Sequence, residues 1–478
     1  MEFHNEIFYT ILVVGLLVRM LPQIILKLDT VDSYYNLTAA KQIWNERKIP
    51  STLNSFLFKG TYSYPPLLHL IISPFVGKQK IPPTQFIGIL FDFSSIVLLY
   101  YIISQTFGYE VALISSLVYA ITPINIIESF SVTPRPMGWF FLNVFLLTVF
   151  FSISHFSILL LIISIFSVVG ILLSHKMAAQ SLFFTSISIS IIFLIIDYRI
   201  SFFILSSLPL GIISTIIISK GFYKKIFCGH ISILRYHFRQ GNYKGTKKFG
   251  NPIQILQRIP WLILFPVVFY FNDFIDLTLE NSFLIIWGMF FLIISILWKF
   301  GDNYRYLVYG IIPLSVIFSE MILRLDFSIF IILISSVLIL CFFRLAYFFQ
   351  TNKTKRLISK DLLACFNYVN DNKNIQRISV VPFSLSYPAS FYTNKLIFAA
   401  DPSPEVWEKG KDYTGFPSNP NLLSFVVNKF QIFTFIIDTN DQNGLSLKSI
   451  IQKSPSLKST ILFAQGKFEI IRLSHNIS

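Results

Sequence analysis

The chain is poor in charged residues, and this shortage excludes an ordinary water-soluble protein. Only 13% of its 478 residues are Asp, Glu, Lys or Arg, whereas soluble globular domains carry about 25%. Cysteine is also scarce, and Cys228, Cys341 and Cys365 lack the spacing of a metal site. Acids are missing altogether between Asp197 and Asp273. The composition therefore favours a chain that is solvated largely by lipid.

Long apolar runs are abundant instead. Hydrophobic residues make up 54% of the chain, which contains 52 Phe and 22 Tyr, and aromatic residues are typical of membrane interfaces. Runs of about 18 or more apolar residues predict membrane-spanning helices. We predict about eleven of them, at 7–27, 83–104, 109–127, 136–152, 156–174, 177–196, 200–219, 254–271, 281–299, 305–323 and 327–349. The apolar run 67–76 is too short to cross and is typical of an interfacial segment.

The sequence changes in character after Phe349. Charged residues, Pro and Asn alternate there with short apolar runs, which predicts a small soluble α/β domain over 351–478 behind a transmembrane domain over 1–350. We expect strands at Ser379–Phe383, Leu396–Ala399, Phe433–Asp438 and Ile461–Leu473, and helices at Asp361–Val369 and Asn421–Lys429. The fold class is thus a polytopic α-helical membrane protein with a C-terminal α/β domain.

The most informative polar segment, 28–82, follows the first predicted span. Asp29 and Asp32 lie where the helix leaves the bilayer, and carboxylates at such a place act as a general base or hold a divalent cation. The segment 36–47 has helical apolar spacing and is suited to lying flat on a membrane. Two acids in a simple exit loop would be the alternative interpretation.

Two motifs in this segment resemble the GT-C glycosyltransferases. Val31-Asp32-Ser33-Tyr34-Tyr35-Asn36 is similar to the Asp-Pro-aromatic-aromatic-Asn segment of the oligosaccharyltransferase catalytic subunit. Tyr64-Pro65-Pro66-Leu67 is similar to the Lys-Pro-Pro-Leu segment of the aminoarabinose and protein O-mannosyl transferases, although Tyr64 replaces the lysine. The resemblance implies that Asp32 is the catalytic carboxylate, assisted by Asp29. It also implies that Tyr34, Tyr35 and Tyr64 contact substrate.

A third motif opens a late span. Asn303-Tyr304-Arg305-Tyr306-Leu307, followed by Pro313-Leu314, resembles the Arg-Tyr-Leu...Pro-Leu segment of the same superfamily. An arginine at a span mouth presents a planar set of donors to a phosphate. We therefore expect Arg305 to bind the donor phosphate and Tyr306 to contact substrate. An interfacial anchor is the alternative role for Arg305.

Weaker signals accompany these motifs. Arg135, His175 and Lys176 stand at predicted span ends and are further candidates for phosphate binding. Glu128, with Asp32, is a candidate ligand for Mg²⁺ or Mn²⁺ if the protein uses a cation at all. Asp92 and Arg344 fall inside predicted spans, where a charge is costly, so we expect them to pair within the helix bundle.

Sidedness follows from a conflict between two observations. The segment 220–258 contains nine Lys or Arg, which the positive-inside tendency would place in the cytoplasm. A cytoplasmic N-terminus, however, gathers the polar motifs on one external face, together with the basic loop 220–253 and the C-terminal domain. We predict this second arrangement. The net charge of +15 then favours anionic lipid headgroups and lipid phosphates over nucleic acid as partners.

The resemblance implies a multi-pass membrane glycosyltransferase, located in the cell membrane in a prokaryote. It would transfer a hexosyl or pentosyl group, with inversion, from a polyprenyl-phosphate donor to a lipid, glycan or protein acceptor at the outer face. A transporter or flippase for a lipid-linked substrate is one alternative. An inactive scaffold with an exported binding domain is another.

Overall fold

The computed structural model describes residues 2–26, 30–77, 81–240, 252–271, 277–297, 303–353, 357–401, 403, 406, 420–454 and 457–475. Two compact units make up the chain. Unit 1 comprises Met1–Lys27, Tyr64–Leu68 and Pro82–Thr354. Unit 2 comprises Leu28–Ser63, His69–Ile81 and Lys355–Ser478.

Most of the described residues are helical. The α-helices are α1 Glu2–Leu21, α2 Val31–Glu46, α3 Leu67–Gly77, α4 Ile81–Thr106, α5 Tyr109–Ile121, α6 Pro123–Ser129, α7 Arg135–Ser152, α8 Ile158–Ser174, α9 Lys176–Ile196, α10 Tyr198–Ile218, α11 Tyr223–Gln240, α12 Pro252–Arg258, α13 Phe265–Phe271, α14 Leu279–Leu297, α15 Ile311–Leu323, α16 Phe327–Asn352, α17 Lys360–Asp371, α18 Ser386–Tyr392, α19 Pro420–Phe430 and α20 Gln442–Lys453. A π-helical turn spans Pro22–Leu26, and 3-10 helices span Pro260–Leu264, Asn303–Tyr309 and Phe383–Leu385.

Seven helices within the described ranges are long and apolar enough to cross a membrane, and the bent pair α5 and α6 would make an eighth. The seven are His4–Leu26, Thr84–Thr106, Arg135–Ser152, Lys176–Ile196, Tyr198–Ile218, Leu279–Ile296 and Phe327–Asn352. The other three predicted spans coincide with shorter apolar helices at Ile158–Ser174, Pro260–Phe271 and Ile311–Leu323. The chain is an integral, multi-pass membrane protein.

Proline accounts for two of the interruptions. Pro123 starts α6 immediately after α5 ends, and the two helices are bent by 52°. Pro260 starts the 3-10 turn that separates α12 from α13. Proline has no N–H to donate and its ring obstructs the preceding turn, so it begins a helix more readily than it continues one. A continuous apolar run in the sequence therefore becomes two short helices in the structure.

A buried ion pair joins the helices of unit 1. The Arg19 Nε and Asp92 Oδ2 atoms are 2.5 Å apart, and neither side chain is exposed. Asp92 Oδ1 also accepts hydrogen bonds from the Tyr119 hydroxyl at 2.8 Å and the Trp139 indole at 3.0 Å. Asp92 is thus paired within the bundle, as expected. Arg344 instead donates from Nε to the carbonyl of Gln257 at 2.6 Å.

Unit 2 is built on a six-stranded mixed sheet in the order β1-β3-β2-β4-β6-β5. Its strands are β1 Phe56–Phe58, β2 Arg377–Val381, β3 Leu396–Ala400, β4 Thr434–Asp438, β5 Leu457–Gln465 and β6 Phe468–His475. β1, β3, β2 and β4 run parallel, with Phe56 opposite Ile397 and Ile378 opposite Thr434. β6 and β5 are antiparallel and form the other end of the sheet.

The structure corrects several expectations in this unit. The strand predicted over Ile461–Leu473 is a hairpin of β5 and β6, because Gly466 adopts a positive φ of 56° and turns the chain back. Unit 2 also includes residues that precede the predicted domain boundary at residue 350. β1, from the first loop, pairs with β3, and α2 packs against α18. Leu28–Ser63 therefore belongs with the C-terminal residues.

The core of unit 2 lies between the sheet and its helices. Side chains of α19, α20 and the strands form one apolar cluster that includes Leu423, Val426, Val427, Phe435, Ile437, Leu447, Ile451 and Ile471. Alternating apolar residues of a strand reach one face of the sheet, where amphipathic helices cover them. This packing holds the parallel strands in register, and β1 pairs with β3 at their edge.

Candidate functional site

In unit 1, Glu128 connects two arginines from distant parts of the chain. Glu128 lies near the end of α6, and its Oε2 atom is 2.6 Å from Nη1 of Arg135, the first residue of α7. Its Oε1 atom is 3.7 Å from Nη1 of Arg258 at the end of α12. Both carboxylate oxygens thus face guanidinium groups. A metal ion at Glu128 would have to displace them, so the predicted ligand is better understood as the residue that positions two arginines.

His175 and Lys176 occupy the junction between α8 and α9. His175 has an extended backbone, ends α8 and precedes α9. Gly138 on α7 allows this close approach, since a Cβ there would lie 2.7 Å from the His175 Cβ. Both His175 and Lys176 are only 8% exposed. A polar pair at a helix end is commonly a simple boundary, but this pair is buried.

Positive charges surround His175. Burial lowers the pKa of the His175 imidazole well below its usual value. Neighbouring basic residues lower this pKa further, in decreasing order Arg135, Arg305, His230 and Lys176. His175 Nδ1 has no hydrogen-bond partner among the described residues. The imidazole is therefore neutral. The basic residues around it favour the binding of a negatively charged group.

The 3-10 helix Asn303–Tyr309 brings Arg305 to the same region. The Arg258 guanidinium lies 4.4 Å from the Tyr304 ring centroid, and that of Arg305 lies 5.9 Å from it. The Tyr306 hydroxyl donates to Gln180 Oε1 at 3.3 Å. Tyr306 is only 2% exposed. The Lys176 ammonium lies 5.4 Å from the Tyr64 ring centroid.

We refer to five residues, four cations and the neutral His175, as the cationic cluster: Arg135, His175, Lys176, Arg258 and Arg305. The structure thus brings together all four residues predicted to bind phosphate, and it places Tyr64 beside one of them. Arginine forks bind phosphate through paired hydrogen bonds, and lysine adds a compact charge. Arg258 and His230 were not predicted, because nothing in the sequence of a loop rich in basic residues distinguishes them.

Asp32 belongs to unit 2 and is exposed in the first turn of α2. Thr30 caps this helix by accepting a hydrogen bond from the Ser33 amide at 3.2 Å. A capping Thr satisfies one of the free N–H groups of the first turn. Asp29 lies outside the described residues. The predicted catalytic carboxylate is therefore accessible and stands on an anchored turn.

A hydrogen-bonded chain supports the turn that carries Asp32. Asn36 Nδ2 donates to the Asp32 carbonyl at 2.8 Å, which directs Asn36 Oδ1 toward His69 Nε2, also at 2.8 Å. His69 Nε2 must then be the donor, and Nδ1, 2.7 Å from the Tyr62 hydroxyl, is the acceptor. His69 is completely buried. The first turn of α2 is thus tied to the segment after the Tyr-Pro-Pro-Leu motif.

The two tyrosines that follow Asp32 in the first motif pack against other aromatic side chains. Tyr34 is 2% exposed and packs against Phe391 and Tyr392 of α18, while Tyr35 is 8% exposed and contacts the edge of His69. Both rings are thus buried rather than presented to solvent. Helix α2, expected to lie on a membrane surface, instead buries every residue from Ser33 to Ala40. Within the described ranges, no three His, Cys, Asp or Glu side chains are placed to hold a metal ion.

Solved structures share this fold, although no protein-family model and no curated protein matches the chain. ArnT from Cupriavidus metallidurans aligns over 97% of both chains with a TM-score of 0.67 and 11% identity. The archaeal oligosaccharyltransferase AglB from Archaeoglobus fulgidus aligns over 98% of this chain and 74% of its own, with a TM-score of 0.60 and 10% identity. Both are GT-C glycosyltransferases. The predicted resemblance is confirmed at the level of the fold.

Proposed function

We propose that the protein is a glycosyltransferase that moves a sugar, with inversion, from a polyprenyl-phosphate donor to an acceptor at the outer membrane face. The observation that carries this proposal is the fold shared with ArnT along almost the whole chain. ArnT has been solved with undecaprenyl phosphate, and AglB with an inhibitory peptide and a dolichol-phosphate. The cationic cluster supplies the chemistry that such a lipid phosphate would require.

The cationic cluster would bind the phosphate of the donor and stabilise it as the leaving group. Negative charge grows on the phosphate oxygen as its bond to the sugar breaks. Fixed cations in a site of low dielectric constant stabilise that charge strongly. Arg305 and Lys176 are the central residues in this role. Glu128 holds Arg135 and Arg258 in place, so their guanidinium groups need no rearrangement during the reaction.

Asp32 would act on the acceptor. Its exposed carboxylate takes a proton from the acceptor nucleophile, or orients it, while that nucleophile forms a bond to the anomeric carbon. The bond from this carbon to the phosphate oxygen breaks on the opposite face, and the electron pair leaves with the lipid phosphate. The configuration at the anomeric carbon is therefore inverted.

Sugar transfer by the purified chain tests the proposal. Polyprenyl-phosphate donors carrying radiolabelled hexoses or pentoses would be combined with lipid, glycan and peptide acceptors, and products would be separated from donor. Asp32→Asn keeps the shape of the side chain but removes its basicity, so it should lower turnover by roughly a hundredfold or more. Asp371→Asn, at another exposed acid of unit 2, is the matched control and should retain full activity.

A transporter or flippase would move the labelled lipid across vesicles without altering it. Detection of movement with no product for any donor and acceptor would refute the enzyme proposal. Equal turnover by the Asp32→Asn protein and wild type would instead refute only the assignment of Asp32.

We also propose that the C-terminal domain and the basic loop 220–253 lie on the non-cytoplasmic side. Lys458 on β5 and Lys225 on α11 are exposed and are suitable positions for single cysteines, after replacement of the three native ones. An impermeant thiol reagent should label both positions in intact cells. Labelling of Lys458→Cys alone would place an odd number of spans between them, and protection of both until lysis would place both in the cytoplasm.

A further inference from the structure

Unit 2 contains a polar cleft that the proposed chemistry does not use. It has a volume of about 560 Å³ and lies where α2 meets the amino ends of β2 and β3. One wall is the second half of α2, and the other is formed by the turn 393–396 and the start of β2. The cleft begins at Thr38, about 9 Å along α2 from Asp32 at a rise of 1.5 Å per residue.

The α2 wall is held in one conformation by its own hydrogen bonds. Gln42 Nε2 donates to Glu46 Oε1 at 2.7 Å and to the Thr52 carbonyl at 3.0 Å, while Gln42 Oε1 accepts from the Asn54 amide at 2.9 Å. Asn54 Nδ2 also donates to Glu46 Oε1 at 3.1 Å. This wall is preformed, which lowers the entropic cost of binding a ligand.

The other groups combine donors and acceptors. Asn45, Gln376 and Asn394 present exposed amide side chains, each of which both donates and accepts. Lys41, Arg377 and Lys395 add cationic donors. Their hydrogen bonds to the carbonyls of residues 391, 430 and 372 leave further N–H groups on each.

This lining discriminates between classes of ligand. Among the described lining residues, Leu396 is the one apolar side chain, so an apolar ligand would gain little there. Glu46 is the one carboxylate that the described part of the lining contains, so a divalent cation would find too few oxygen ligands there and three repelling cations. A hydroxyl group both donates and accepts, and therefore matches amides in either orientation. The volume lies within the range of small-molecule sites.

We propose that this cleft is a saccharide-binding site. Its amides bind sugar hydroxyls, and Lys41, Arg377 and Lys395 allow the sugar to carry an acidic group. The proposal does not depend on glycosyl transfer, because it concerns binding at groups that take no part in the proposed reaction.

Binding of oligosaccharides to the full-length purified protein tests the site. The protein must be kept in a detergent without a sugar headgroup, since such a headgroup would compete. Cellotriose, chitotriose and trigalacturonate serve as probes, with saturation-transfer NMR and calorimetry as measurements. We expect saturable binding of at least one probe.

The test variant combines Asn45→Ala with Gln376→Ala, which removes two exposed amides that form no side-chain hydrogen bond among the described residues. Loss of two hydrogen bonds should weaken binding at least tenfold. Lys458→Ala, on β5 at the opposite edge of the sheet, should bind as wild type does. Equal melting temperatures of the three proteins would confirm that the variants fold.

Three results would overturn the proposal. The first is no binding of any probe up to millimolar concentrations, and the second is equal affinity of the double variant and wild type. The third is binding of trigalacturonate alone that inorganic phosphate abolishes, since the cleft would then be an anion site rather than a saccharide site.

Discussion

Replacing Asp92 by Asn should destabilise unit 1 severely. Asp92 is the counter-charge of Arg19, neither residue is exposed, and the carboxylate also accepts hydrogen bonds from Tyr119 and Trp139. The four residues lie on α4, α1, α5 and α7. Asparagine keeps the shape but leaves a buried guanidinium without its counter-charge.

The size of this effect follows from the burial of the pair. Removal of one partner from a buried ion pair costs about 3–5 kcal/mol. Each kcal/mol shifts the melting temperature of a domain of 150–250 residues by roughly 2–4 °C. For the larger unit 1, a decrease of about 5–10 °C is the corresponding expectation.

Thermal unfolding of the detergent-solubilised protein, followed by tryptophan fluorescence at one fixed heating rate, would measure the shift. The fixed rate matters because unfolding of large proteins is commonly irreversible. The informative control is Arg19→Met combined with Asp92→Leu, which removes both charges and leaves none stranded. This double variant should melt above the Asp92→Asn protein. The reasoning about the unpaired buried charge is wrong if the melting temperature of the double variant is lower than that of the Asp92→Asn protein. It is also wrong if the Asp92→Asn protein and wild type have the same melting temperature.

Three further predictions concern other polar side chains. Arg305→Lys keeps the charge but loses the planar fork, so the affinity for undecaprenyl phosphate, measured by calorimetric titration, should fall about tenfold. Arg324→Lys is the control and should not change this affinity. If the titrations of Arg305→Lys and wild type superimpose, Arg305 is only an interfacial anchor. Burial lowers the pKa of His230 from its usual 6.5 to about 3, so the unfolded chain binds more protons and the folded state loses stability as the pH falls below about 6.5. Acidification from pH 7 to pH 5 should then cost about 2 kcal/mol at this residue, and His230→Gln should flatten the pH dependence of the melting temperature; an unchanged slope would contradict it. His69→Leu removes two buried hydrogen bonds and should lower stability by about 2 kcal/mol, and a melting temperature equal to that of wild type would show that the chain to Asn36 contributes nothing.

The sequence predicted well those features that depend on local composition. Apolar runs located the helices, because burial in lipid requires length and hydrophobicity, which can both be counted. Polar residues at the ends of membrane helices must lie at one end of the helix bundle or the other. Their proximity could therefore be predicted for Arg135, His175, Lys176 and Arg305. The interruptions at Pro123 and Pro260 carried a recognisable signal, although the runs around them were interpreted as continuous spans.

Features that depend on distant pairing could not be predicted. Arg19 became the partner of Asp92 through contact between α1 and α4, and nothing in the spacing of the two residues selects that pair. Phe56–Phe58 is three residues long and resembles any short apolar loop, yet it becomes a strand because β3 offers it a parallel edge. The hairpin at Gly466 did have a local signal, since glycine often marks a turn within an apolar run.

The pairing of β1 with β3 has a consequence for biosynthesis. Phe56 is made long before its partner Ile397, and unit 1 is synthesised almost entirely between them. Contacts between residues so far apart in sequence form slowly, because a long loop must close before they bring any gain. The segment that carries Asp32 must therefore wait, without α18 and β3, until residues 386–400 have left the ribosome. A chain terminated early would insert its helices in the membrane and still lack a completed support for its proposed catalytic carboxylate, so premature termination should yield inactive protein rather than an active fragment.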